Sequence, residues 1–239
     1  MTIASPPTAT AAILYGKVAG FHTDVDKLRS FFTDVVANAP STPYFDHSVE
    51  YEGWSVTSRD GTTADGVKFV AGPKTPGAKN PPATVPTPLC RGAAAETLEQ
   101  LKAVGMRFSR VRFMRLSSVN FDMRFHSDGP GGREQWRLHV PVITNPYSFF
   151  EWKLENGQVV RTHFPADGSA WLVRVDVQHR AVNQNPSPSK RVHLLMGVKM
   201  PPLESISEPY VMPAFGAAAR PAAAPAEPAK PRIPAAVRD

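Results

Sequence analysis

The chain has 239 residues, 42% of them apolar, enough for one domain with a sizeable core and some additions. Lys and Arg exceed Asp and Glu by 27 to 21, for a net charge of +6 and a pI near 9.6. No basic block, zinc-finger pattern or RNA-binding signature concentrates that charge, so no specific nucleic-acid partner is expected; a generally basic solvated surface is the expectation, ahead of anionic ligands or weak nucleic-acid contact. Cys90 is the only cysteine, so no intramolecular disulfide can form, and no stretch approaches the roughly 18 apolar residues of a membrane-spanning helix.

Residues 1–12 are rich in Ala, Thr and Pro, read as a disordered lead, and lack the basic start and long apolar run of a secretory signal. A reducing, cytoplasmic setting without a membrane partner is expected. The domain proper is expected over 13–205. ILYGKVAGF, residues 13–21, offers a first strand. Thr23 with Asp26 three residues on forms a capping box for a helix whose buried stripe is Val25, Leu28, Phe32, Val35 and Val36, ending before Pro40.

Tyr51 to Ser58 reads as a strand on the alternation of Trp54 and Val56. Between Gly72 and Gly92, Pro and Gly recur too densely for regular structure, and a lid or a plain insertion is expected there. Ala93 to Val104 is a second helix through Leu98, Leu101 and Val104. Arg107 to Leu116 reads as a strand whose phase shifts near Ser109, predicting a bulge or a twist. Further short strands follow at Phe149 to Leu154, Gln158 to His163, Ala170 to Val177 and Arg191 to Lys199, a spacing that suits a sandwich or jelly roll with flanking N-terminal helices. From Pro213 to Asp239, Ala and Pro supply 17 of 27 residues, so a disordered tail is expected.

The chemistry concentrates between Phe125 and His193. Side chains alternate faces along a strand, so His126 and Asp128, Arg137 and His139, and Arg191 and His193 each put two polar groups on one side. Around Arg137 the opposite face is Trp136, Leu138, Val140 and Val142. A His, an Asp two residues on and a distal His can cap one face of an octahedral ion, the facial triad of non-haem Fe(II) and oxygen activation. His179, 51 residues past Asp128, supplies the distal His, and Arg191 follows twelve residues later with a planar fork suited to a carboxylate.

RFHSDGPGGREQWRLHVPVITNP, then GSAWLVRVDVQHRAVNQ and KRVHLLMGV, together resemble the aspartyl/asparaginyl beta-hydroxylase family, which includes free-proline hydroxylases. The resemblance spans about residues 106–200 and implies a double-stranded β-helix that uses Fe(II), 2-oxoglutarate and O2. It implies His126, Asp128 and His179 as metal ligands and catalytic centre. Arg137, His139, Arg191 and His193 would serve the oxoacid, Arg191 on the carboxylate farthest from the metal. The peptide-modifying aspartyl hydroxylases have Gly where Asp128 stands, so Asp128 favours a free amino acid or a derivative over an Asp or Asn side chain in a peptide.

Candidate substrate contacts are Asn183, four residues past the distal His, and one of the arginines Arg110, Arg112, Arg115 and Arg124, with Arg115 and Arg124 singled out. His22, His47 and His163 have no such company, and Trp54, Trp136, Trp152 and Trp171 read as packing residues. A barrel of this kind can also serve as a non-redox metal isomerase or a ligand-binding protein, for which the arginine pair Arg137 and Arg191 would have no evident use.

Overall fold

The computed structural model describes residues 13–44, 51–63, 65, 67, 82–117, 121–128, 135–184, 190–198, 201 and 203–212. The expectations for the N-terminal lead and the Ala/Pro tail lie outside these residues, as do residues 72–81 of the 72–92 segment.

A first strand, β1 (Ile13–Val18), precedes helix α1 (Val25–Phe31), which continues as one π-helical turn over Phe32–Val36. Leu28, Phe32 and Val36 recur every four residues and form the buried stripe, each worth about 1.5–3 kcal/mol of apolar transfer. The cap differs from the expected box: Asp24, not Thr23, accepts the Lys27 amide at 2.9 Å. Thr23 is buried, and its hydroxyl lies 3.0 Å from that of Thr97 on helix α2 (Gly92–Ala103), so it ties two helices together.

The stretch from Tyr51 to Ser58 is two strands, β3 (Tyr51–Ser55) and β4 (Thr57–Ser58); β3 is flanked by β2 (Thr42–Pro43) and β4 pairs with β5 (Val85–Pro86). The break falls at Val56, whose amide and carbonyl bond to Val111 and Thr87. The proline-rich segment therefore does contain one short strand.

Eight strands then build the body: β6 (Ser109–Leu116), β7 (Phe121–Asp122), β8 (Trp136–Ile143), β9 (Ser148–Lys153), β10 (Val159–Thr162), β11 (Trp171–Arg174), β12 (His179–Asn183) and β13 (Arg191–Val198). Their ladders join β9 to β10, β8 to β11, β7 to β12 and β6 to β13, which is one long antiparallel hairpin. Wrapping that hairpin on itself adds the contacts β8 to β13 and β9 to β12 and separates the arms into two sheets. The result is a double-stranded β-helix, or jelly roll. With β1, β2, β3 and β14 (Ile206–Val211) at its edges, the larger sheet runs β14-β1-β11-β8-β13-β6-β3-β2, and the smaller runs β10-β9-β12-β7.

The alternation read around Arg137 holds, and β13 repeats it. Trp136, Leu138, Val140, Val142, Val192, Leu194 and Met196 pack with Leu28, Phe32, Leu98 and Leu101 of the helices, while Arg137, His139, Arg191 and His193 turn into the space between the sheets. Of the bulge or twist expected near Ser109, a bulge is present: Leu195 pairs with Arg112 but Gly197 with Ser109, and Arg110 takes a left-handed backbone with φ 54°. Pro141, which has no amide to donate, is tolerated inside β8 because the ladder slips there as well, between Val192 and His193.

Candidate metal centre

His126, Asp128 and His179 converge. Each offers a ligand atom, and these atoms lie within 4.8 Å of one another. Three backbone bonds do the placing. The amides and carbonyls of His126 and His179 form a closed antiparallel bridge, at 3.1 and 2.8 Å, and the Asp128 amide donates to the Val175 carbonyl at 2.9 Å. The first ligand pair is thus clipped to the entrance of β12 and the third ligand opens that strand.

Both imidazoles turn Nδ1 to a backbone carbonyl. His126 Nδ1 sits 3.0 Å from the Arg124 carbonyl and His179 Nδ1 2.9 Å from that of Val177. A carbonyl only accepts, so Nδ1 carries a proton in each ring and Nε2 is the nitrogen turned to the other donors. The Phe150 ring lies parallel to that of His179, at 5.4 Å and 7°, and fixes its plane. Burial lowers the His179 pKa to about 4, against the opposing pull of its bond to Val177, so this imidazole is neutral at physiological pH. Two imidazole nitrogens and a carboxylate on one side fit a divalent ion with open positions opposite, and the donor set suits Fe(II).

Asp128 is held by Arg137, whose Nη2 donates to Oδ2 at 2.8 Å, while Oδ1 lies 3.8 Å from His126 Nε2. Beyond the triad a cavity of about 500 Å³ runs between the sheets, with Arg137, His139, Arg191 and His193 on the larger sheet and Phe150, His179 and Ala181 on the smaller. Arg191 lies at the far end and is 4% exposed. Burial depresses its guanidinium pKa to about 10, and among the described residues its hydrogen bond goes to His193 Nδ1 at 3.2 Å.

His139 Nδ1 meets the same His193 nitrogen at 3.1 Å. Because Arg191 has only donors, His193 Nδ1 is the acceptor of both bonds, and His139 Nδ1 carries a proton. The two Nε2 atoms, a bare acceptor on His139 and an N–H on His193, are buried and without partners among the described residues. Burial, then the charge of Arg191, holds both rings well below the usual histidine pKa, so they add no charge.

Asn183 and Arg115 are not brought to the cavity. Asn183 is fully buried beneath the β9–β12 ladder, accepting from Ser148 Oγ at 3.0 Å and Asn145 Nδ2 at 3.1 Å. Arg115 lies on the outer face of β6, where its Nε donates to Glu52 at 2.8 Å and its guanidinium covers the Trp54 ring. Arg124 does line the cavity, as do Arg112, Met114, Tyr44 and Tyr51, of which the sequence singled out none but Arg124. The signal for Arg112 was the bulge: once Arg110 is left-handed, the inward phase of β6 passes through Arg112 and Met114. The tyrosines gave no sequence signal, since only the β3–β6 register carries Tyr51 there.

No protein-family model and no curated protein matches the chain. Among solved structures it is similar to a prolyl-4-hydroxylase of Pseudomonas putida, at 13% identity over 80% of this chain and 95% of that one, with a TM-score of 0.47. HygX from Streptomyces hygroscopicus, holding nickel and 2-oxoglutarate, is similar at 10% identity over 81% and 87%, with a TM-score of 0.47. The non-heme alpha-ketoglutarate-dependent epimerase SnoN from nogalamycin biosynthesis is similar at 9% identity over 79% and 78%, with a TM-score of 0.48. At these identities and scores the likeness carries nothing about the reaction, which is read from the donor atoms.

Proposed function

We propose that the chain is an Fe(II)- and 2-oxoglutarate-dependent dioxygenase that hydroxylates an unactivated C–H bond of an amino acid or amino-acid-like small molecule. The observation that carries this is the combination of a three-donor metal face with a buried guanidinium, Arg191, at the other end of one cavity. A buried cation is costly unless an anion meets it, and a five-carbon diacid reaching from metal to Arg191 supplies one.

Fe(II) bound by His126, Asp128 and His179 would supply oxygen activation coupled to loss of carbon dioxide from the oxoacid, which becomes succinate. The rest belongs to the chain. Arg191 binds the distal carboxylate and sets the depth of the oxoacid. The buried N–H of His193 and the bare Nε2 of His139 are placed to donate to and accept from groups in the cavity, where His139 takes part in holding the co-substrate. Arg137 orients the Asp128 carboxylate. Leu195, Phe150, Ala181 and Met114 exclude water around the reacting carbon.

A non-redox isomerase or a ligand-binding barrel has no use for Arg191, whereas Arg137 is already explained by Asp128 and no longer separates the two classes. The test is oxygen- and iron-dependent release of succinate from 2-oxoglutarate with the intact chain. Succinate no higher than a metal-free control, alone or with a panel of amino acids and their derivatives, would refute the proposal.

A further inference from the structure

The described lining of the cavity holds two thioethers, Met114 and Met123. A thioether sulfur takes up an oxygen atom in a single two-electron step, with no C–H bond to break and no proton to move. It is therefore an easily oxidised side chain beside an oxygen-activating metal. The two sulfurs are placed differently on the two sheets.

Met123 stands three residues before His126, and its amide donates to the Ala181 carbonyl at 3.3 Å. Ala181 pairs with Phe150 in the β9–β12 ladder, so Met123, Ala181 and Phe150 form one rung, and all three line the cavity. The next inward rung carries the metal ligands, His126 bridged to His179. The two rungs are two residues apart along β12, about 7 Å at ~3.3 Å per residue. Met123 is half-buried against Ala181 and Leu195, and its unbranched chain gives the sulfur freedom to move along that wall. Met114 pairs instead with His193 and Gly53, and a methyl added at Gly53 would meet its Sδ at 2.6 Å, so that sulfur is turned toward β3. Met106 and Met196 belong to the core on the helix side of the larger sheet, and Met212 packs against the separate cluster around Trp152.

Resting on the dioxygenase reading given above, we propose that Met123 is a site of self-oxidation: when 2-oxoglutarate and O2 react with no prime substrate in place, the Met123 thioether takes the oxygen atom. The reaction converts 2-oxoglutarate, O2 and the thioether into succinate, carbon dioxide and the sulfoxide. One atom of O2 ends in succinate and the other on sulfur, which gives up two electrons, and no proton or further leaving group is left over. The sulfoxide is polar and chiral where the thioether was apolar, so turnover without substrate rebuilds the wall that Met123 shares with Ala181 and Leu195.

In the test, the Fe(II)-loaded full chain is incubated with 2-oxoglutarate and isotopically heavy O2, with catalase and no prime substrate, and its peptides are analysed by mass spectrometry. Heavy sulfoxide is expected at Met123 at ten-fold or more the level at Met106, Met196 or Met212, and only with both iron and 2-oxoglutarate present. No label at Met123, or equal label at the partly exposed Met212, which marks a diffusible oxidant, overturns the inference. In Met123→Leu the total label is expected to fall at least five-fold, and an unchanged total overturns it as well. A second measurement needs no turnover. With isotope-labelled methionine methyls and oxygen excluded, the chain is loaded with Co(II) or Zn(II), and the paramagnetic broadening of each methyl is read from the difference. Among the described methionines the Met123 methyl is expected to broaden most, and stronger broadening at any other overturns the inference. The dioxygenase reading is tested separately by titrating 2-oxoglutarate into the Mn(II)-loaded chain. Saturable binding there with no label at Met123 sinks the self-oxidation and leaves the reading intact; no binding there sinks both.

Discussion

Replacing Arg191 by Lys keeps a positive charge at the far end of the cavity but removes the planar fork. Arg191 is 4% exposed and anchors to His193 Nδ1 at 3.2 Å, so the site is rigid and a lysine ammonium cannot reproduce two parallel bonds to one carboxylate. Losing one charge-assisted bond costs about 1.5–3 kcal/mol, or roughly 10- to 100-fold in the half-saturating 2-oxoglutarate concentration. A second effect follows from the electrostatics. Burial pulls the Arg191 guanidinium down to about 10 from 12.5. A lysine starts lower, near ~10.4, so the same burial carries it into the range of ordinary assay buffers. The variant's KM for 2-oxoglutarate should therefore climb further as pH rises from 7 to 9, while the wild type stays flat. Succinate release at fixed saturating substrate, over a 2-oxoglutarate series at three pH values, reads both effects. A variant that saturates with 2-oxoglutarate at the wild-type concentration but needs far more prime substrate would show that Arg191 faces the substrate.

His126→Ala, Asp128→Ala and His179→Ala should each abolish turnover and cut Mn(II) affinity by orders of magnitude, with far-UV circular dichroism unchanged; retained activity in the His179 variant would remove the triad. Arg137→Met leaves the Asp128 carboxylate unoriented and should weaken Mn(II) binding about 10- to 100-fold, measured by calorimetry. The metal-free protein should lose stability on acidification. His179, His139 and His193 are held neutral by burial, with folded pKa values below the unfolded 6.5. The unfolded chain therefore binds protons first. The stability is fully present above about pH 6.5 and drains as pH falls toward 4, each histidine adding up to about 1.4 kcal/mol per pH unit. Urea midpoints at pH 7.5, 6 and 5 test this, and a flat series would contradict the buried, neutral assignment.

The strand faces of β8 were legible because period-two patterning is cleanest where one face meets helices and the other a polar cavity, as Trp136 to Val142 does. The bulge near Ser109 was legible for the same reason, as a slip in that pattern. Local hydrogen-bond competition was not. Thr23 looked like a cap, but its partner Thr97 lies 74 residues away, and Asp24 took the role. Asn183 sat at a suggestive distance from His179, yet Ser148 and Asn145, brought alongside by the β9–β12 ladder, claim its oxygen. Arg115 was chosen over Arg112 because the face of each depends on one left-handed residue, Arg110, whose conformation no periodicity announces. The triad itself was visible as residue types, and its convergence depends on the bridge between His126 and His179.

That bridge ties the segment just after the second strand of a rolled hairpin to the start of the seventh, so the three donors meet only after nearly the whole roll has closed. The intervening loop of 52 residues makes the contact entropically slow to find, with closure cost growing as the logarithm of loop length. A dication seated across it would act as a late clasp, binding the finished fold and not its precursors. By mass action such a clasp raises the melting temperature in proportion to the logarithm of metal concentration. It would slow unfolding far more than it speeds refolding, because the clasp is absent from the transition state. For this fold, the chelator concentration during storage would govern lifetime more than yield.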